Sequence, residues 1–382
     1  MTDAPGPPGF AAAGPPEIAA AGPPEIAAAG PPEIAWFAAL CDDDYEFLGV
    51  ADAALASSFE HCADIVEAAD RLGYDNVLLP SGYELGIDAV AFAAGVSRQV
   101  ERARLLLAVR SGEMWPPQLA RQLATIDQML GAAPDGTGRL TVNIISSDLP
   151  GAPLDSGPRY ERTLEVMAVL RDLLDGKAVD HHGDFYDLTL EPPRSRTVTG
   201  RCPPLYFGGL SDAARDVAAR AADVYLMWPD TVAGAAAVVE DLRARAASYG
   251  RTLRFGFRSH VIVRDSEAGA RAAAARLVSR LDPVDGARIR ARSLDSASAG
   301  VARQAELRDG ADDDGFVEDH LWTGIGRARS GAGAAIVGDP DQVVGTIEAY
   351  RAVGISSFIL SGYPHLDECA RFAPLLERIR RG

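Results

Sequence analysis

Two short runs in this sequence carry residue types that suit a reaction site better than a core. In Phe257-Arg258-Ser259-His260-Val261-Ile262-Val263 an arginine and a histidine alternate with apolar neighbours. On a strand, alternation puts Arg258 and His260 on one face. Facing inward they would be costly unless solvated or paired with an anion, so the pair reads as an anion site or as a structural salt bridge. The second run, Phe358-Ile359-Leu360-Ser361-Gly362-Tyr363-Pro364-His365, stops being apolar abruptly and delivers polar groups. The Tyr363 phenol there could hydrogen-bond an oxyanion, while His365 reads as a cap of the last helix. Arg329, in Arg327-Ala328-Arg329-Ser330-Gly331-Ala332-Gly333, is either a surface charge or the tip of a loop that closes on an anion and excludes water.

A separate group of residues suits a phosphate. Tyr206-Phe207 opens into Gly208-Gly209-Leu210-Ser211-Asp212 and then a helical pattern, so backbone amides and the Ser211 hydroxyl converge at a helix N-terminus. An ordinary N-cap would look the same. Asn143-Ile144-Ile145-Ser146-Ser147-Asp148 ends another strand, and Tyr160 soon follows at the start of a helix, as a site residue or a half-buried packing aromatic.

The elements that must position these residues alternate. Strands are predicted near 33–40, 75–80, 104–110, 140–146, 204–208, 223–228, 254–264 and 356–361. Amphipathic helices fall between them, for example at 56–72, where Phe59, Cys62, Ile65, Val66, Ala69 and Leu72 share a stripe that Gly73 ends. Eight β/α units, with no Gly-x-Gly-x-x-Gly after the first strand, favour a (β/α)8 TIM barrel over a doubly wound sheet. Residues 36–382 read as one domain with two additions: a hairpin excursion at 177–203 and an insertion at 282–335 containing a candidate lid.

Composition narrows the class. The 382 residues are 47% hydrophobic, enough for a large core, and no run of about 18 apolar residues could span a membrane. Lys+Arg 37 against Asp+Glu 54 leaves a net charge of -17, which opposes nucleic acid and anionic membrane as partners. Any anionic ligand therefore needs a local arginine pocket. Cys41, Cys62, Cys202 and Cys369 show no CxxC spacing, which argues against zinc and against a disulfide framework and fits a reducing cytoplasm. Residues 1–35 repeat Gly-Pro-Pro-Glu-Ile at 14–18, 22–26 and 30–34 in an alanine background, and read as a disordered tail.

From the first strand to the last helix the chain resembles the bacterial-luciferase-like flavin monooxygenases, and within them the alkanesulfonate monooxygenases. The resemblance rests on the segments above and on Ala69-Asp70-Arg71-Leu72-Gly73-Tyr74, Leu205-Tyr206-Phe207-Gly208-Gly209, Leu321-Trp322 and Gly324-Ile325-Gly326. It implies a luciferase-like barrel, reduced FMN and O2 as co-reactants, a separate NAD(P)H:flavin reductase, and a homodimer or homotetramer. It also implies oxygenolytic desulfonation of a small anionic organosulfonate to sulfite and an aldehyde through a flavin (hydro)peroxide. By the same resemblance Arg258, His260, Arg329 and Tyr363 are catalytic, and Ser147, Tyr160, Gly208, Gly209, Ser211, Trp228 and Trp36 bind the flavin.

Two departures point to a different substrate. The family's usual cysteine after the second strand is replaced by Ser81-Gly82-Tyr83-Glu84-Leu85-Gly86, and the usual histidine after the first by Cys41 and Asp42-Asp43-Asp44. Alternatives left open are Baeyer–Villiger or C–S cleavage of a specialised metabolite, a deazaflavin-dependent hydride transfer, and a flavin-binding protein without activity.

Overall fold

The computed structural model describes residues 30–82, 86–149, 151–291 and 298–381. Eight strands carry the architecture: β1 (Glu33–Phe37), β2 (Asn76–Leu79), β3 (Arg104–Arg110), β4 (Leu140–Ile145), β5 (Leu205–Phe207), β6 (Val224–Met227), β7 (Arg254–Val263) and β8 (Ser357–Ser361). Each pairs in parallel with the next, and β8 pairs back to β1, closing the barrel expected from the alternation.

Side chains sort between two layers at the strand period of two. Ala35, Phe37, Leu78, Leu106, Ala108, Tyr206, Val224 and Ile359 fill the barrel. Their neighbours Ile34, Trp36, Val77, Leu79, Leu105 and Leu107 pack outward among the helices. The helix Phe59–Leu72 begins where Ser58 accepts a hydrogen bond from the His61 amide, and it ends at Gly73, whose φ of 90° a side chain would resist. Phe59 stays 41% exposed at the edge of the predicted stripe.

The domain begins earlier than the expected 36, because the last repeat unit gives Glu33 and Ile34 to β1. Residues 1–29, the rest of the expected tail, lie outside the described residues. The excursion is a hairpin of Val179–His182 with Asp187–Leu190. The insertion holds strands Phe316–Glu318, Leu321–Trp322 and Ala335–Gly338. Its last strand, absent from the predicted set, pairs in parallel with the far half of β7, Ala335 against His260. Thus β7 has its first half in the barrel and its second in this meander, over a core that includes Leu48, Ile262, Trp322, Ile325 and Tyr363. No described helix is long and apolar enough to cross a membrane.

Candidate active site

Arg258 and His260 are 3% and 1% exposed and share the inward face of β7, as the alternation requires. The Arg258 guanidinium donates to the Ser259 carbonyl at 2.6 Å and to Ser361 Oγ at 2.9 Å, and it lies 4.3 Å from the centre of the Phe37 ring. Among the described residues no carboxylate lies within ion-pair distance of it, so the salt-bridge reading of Arg258 does not hold. Burial, reinforced by the charge on Arg329, pulls its pKa down to about 9, which still leaves it cationic at neutral pH. Asp43 favours its charge only from a distance; a buried cation with no carboxylate in direct contact is costly, and an anionic ligand reduces that cost.

Ser361 fixes the state of His260. Its Oγ lies 2.8 Å from His260 Nδ1. Arginine can only donate, so the hydroxyl accepts from Arg258 and gives its own proton to Nδ1; the neutral ring then carries its hydrogen on Nε2. Burial, and then the charges of Arg258 and Arg329, hold the His260 pKa well below 6.5, weakly opposed by the Ala332 carbonyl. Among the described residues Nε2 itself makes no hydrogen bond of good geometry.

Arg329 reaches this cluster from the insertion. It pairs with Asp43, 286 residues away, and donates to the Tyr363 hydroxyl at 3.1 Å. Burial disfavours its charge, but Tyr363 and Asp43 outweigh burial and hold its pKa above the ordinary arginine value. Burial alone would raise the Asp43 pKa; Arg329 overrides it, and the carboxyl is held below its usual value. Burial pushes the Tyr363 phenol up, so it stays protonated. The Tyr363 ring lies 5.0 Å from His260 and 5.3 Å from His365.

His365 is the first residue of the last long helix, and its ring does not cap it. The ring is fully buried, stacks on Phe37 at 5.7 Å, and leaves both nitrogens without partners among the described residues. Burial lowers its pKa too. Asp44 has the structural task here, accepting from the His365 amide at 3.0 Å and pairing with His61 Nε2 at 2.9 Å.

The phosphate-type residues form a second cluster at the same barrel end. A Cβ on Gly208 would fall 2.2 Å from the Leu226 carbonyl oxygen, and one on Gly209 would fall 2.7 Å from the Ala214 Cβ. Ser211 caps the helix Asp212–Ala221 and donates to the Tyr160 hydroxyl at 3.2 Å. Two glycines in a tight turn, a helix N-terminus and two hydroxyls fit the phosphate of FMN. Ser147 is buried at the end of β4 and bonded to Arg110 from β3. Trp228 follows β6 and lies under the insertion, where a Cβ on Gly300 would come within 3.0 Å of its ring.

Trp36 is the expected residue that the fold places elsewhere. It faces the helices, packed on Tyr74 at 5.3 Å and Phe372 at 6.4 Å, and its neighbour Phe37 faces the barrel. Asp43, Phe37, Ser361 and Arg110 were not among the expected site residues. The parity of β1 and β8 would have found Phe37 and Ser361, since each shares the inward face with the site.

A family model described as luciferase-like monooxygenase matches residues 46–357. The sulfoquinovose monooxygenase of Novosphingobium aromaticivorans is 61% identical over 340 residues, 89% of this chain and 94% of that protein. The sulfoquinovose monooxygenase of Agrobacterium fabrum is 50% identical over 341 residues, 88% of this chain and 87% of its own length. Among solved structures, a long-chain alkane monooxygenase superposes with a TM-score of 0.73, covering 92% of both chains at 14% identity, a likeness of fold.

Proposed function

The chain belongs to the luciferase-like monooxygenase family, and from that premise we propose that it desulfonates sulfoquinovose, or a sugar sulfonate of the same build. It is a flavin-dependent monooxygenase. The observation that carries the sulfonate reading is Arg258, a buried guanidinium at the mouth of the barrel with no ion-pair partner among the described residues. Arginine's planar fork of donors matches a tetrahedral oxyanion.

In this reading Arg258 and Arg329 hold the sulfonate oxygens. Gly208, Gly209, Ser211 and Tyr160 hold the FMN phosphate, with Ser147 and Trp228 alongside. Reduced FMN, when bound, supplies the activation of O2 that no side chain here can provide. Around the reacting carbon and sulfur, His260 presents its Nε2 hydrogen and Tyr363 its phenol hydrogen, and both favour negative charge on oxygen. The loop bearing Arg329 keeps water from the site. The balance is one sulfonate, one O2 and one reduced FMN giving sulfite, an aldehyde, oxidised FMN, water and a proton. For sulfoquinovose, a hexose with its sulfonate on C6, the aldehyde forms at C6.

A separate NAD(P)H:flavin reductase, a cytoplasmic location and a homodimer or homotetramer belong to the same proposal. The test is to supply purified protein with reduced FMN from a generic reductase and sulfoquinovose, and to follow sulfite and oxygen. Sulfite above the no-enzyme control, matched by oxygen uptake, is expected. Oxygen consumed at only the uncoupled rate of the reductase, with no sulfite, would contradict the proposal.

A further inference from the structure

We propose that Asp43 is a specificity-determining residue that accepts a hydrogen bond from a substrate hydroxyl, so that the pocket selects polyhydroxylated sulfonates over plain alkanesulfonates. This rests on the sulfonate reading of the site. Asp43 is 8% exposed, and only one of its carboxylate oxygens is engaged, Oδ2 with Arg329. Oδ1 is buried and unpartnered. A buried carboxylate oxygen left without a donor is unfavourable unless a ligand completes it.

The surroundings say what that ligand carries. His260 Nε2 and both ring nitrogens of His365 are likewise buried and unpartnered, and the rings of both histidines lie against Tyr363. Arg258 calls for an anion, Asp43 Oδ1 for a donor hydrogen, the His260 Nε2 hydrogen for an acceptor, and the His365 ring for a group that both gives and accepts. An alkyl chain satisfies none of the last three. Vicinal hydroxyls satisfy all of them, because each donates one hydrogen and accepts through two lone pairs. Asp44, one residue on, shows the contrast: both its oxygens are already occupied, Oδ1 by the Tyr45 and His365 amides and Oδ2 by His61.

The experiment measures Kd by anaerobic calorimetry on protein loaded with reduced FMN, using sulfoquinovose, hexanesulfonate and taurine as probes. Wild type is expected to prefer sulfoquinovose to hexanesulfonate. In Asp43→Ala that preference should fall about 10- to 100-fold, the range for a lost hydrogen bond to a charged group. Asp43→Asn keeps the volume and one acceptor oxygen, so it should keep part of the preference, and it serves if the alanine variant does not fold. A preference unchanged in both variants, whether the affinities move together or not at all, would overturn the proposal and leave Asp43 as counter-ion to Arg329. A loss confined to taurine would overturn it in favour of an ammonium-bearing substrate. Wild type that binds none of the three overturns the sulfonate function itself, a failure visible before any variant is made.

Discussion

The two ends of the barrel treat buried polar groups in opposite ways. At the end where the strands begin, Glu33 Oε1 gathers donors from Asn76 at 3.2 Å, Tyr206 at 3.2 Å and Ser357 at 3.3 Å, and Asn76 donates also to Thr141 at 3.2 Å. Among the fully buried side-chain atoms described in that group, only Asn76 Oδ1 lacks a partner. At the end where the strands finish, Asp43 Oδ1, His260 Nε2 and both His365 nitrogens are unpaired among the described residues, and Arg258 makes no ion pair with any of them. The first network closes on itself and serves stability. The second, in the function proposed above, is completed by the substrate, as expected of the face of a barrel that carries its chemistry.

The sharpest way to break this contrast is to remove the uncompensated cation. Arg258→Met should lower kcat/KM for sulfoquinovose by about 10²- to 10³-fold, in the range for truncating a buried charge pair. Its Kd for FMN, measured by fluorescence quenching, should stay within about threefold; equal loss of both would place Arg258 in the scaffold. Ser361→Ala acts one step away, as a positioning residue, and should cost about tenfold in kcat. Its specific readout is the ¹⁵N spectrum of His260: the Nε2-protonated tautomer in wild type and a mixture in the variant. An unchanged spectrum would contradict the hydrogen bond by which Ser361 fixes the His260 tautomer.

The opposite end should answer the other way. Glu33→Gln should lose about 1–2 kcal/mol, seen as a Tm lower by a few degrees, with kcat/KM at 25 °C unaffected. Loss of activity without loss of stability would erase the distinction between the two ends. The smallest effect is on pH dependence. His260 and His365 are both held below 6.5 in the folded protein, so the unfolded chain binds protons that the folded one refuses. Stability must therefore fall as pH drops below 6.5, and His365→Phe should flatten that fall in denaturant titrations between pH 5 and 7. A His365→Phe curve parallel to wild type would contradict the assigned burial of charge.

Much of this was legible in the chain. The barrel followed from apolar runs spaced by amphipathic helices, and the inward pair Arg258 and His260 from simple alternation. Trp36 was placed at the flavin by family resemblance alone, and a strand's two faces differ by one residue, so the inward aromatic is its neighbour Phe37. Asp43 was hidden because an acidic run after a strand looks like a solvated loop, and its partner Arg329 comes from the far end of the sequence. His365 looked like a cap because its position at the start of a helix is local information, while its stacking on Phe37 is not. The strand Ala335–Gly338 follows the small-residue run Gly331-Ala332-Gly333-Ala334, which hides it in the sequence, and pairing with β7 makes it a strand.

The most direct measurement is a calorimetric titration of sulfoquinovose into wild-type protein and Arg258→Met, both loaded with reduced FMN under anaerobic conditions. Saturable binding to wild type, weakened at least about 100-fold in the variant, is the predicted result. Equal affinity in the two proteins would contradict the claim that the open end of the barrel is built around an anion on Arg258.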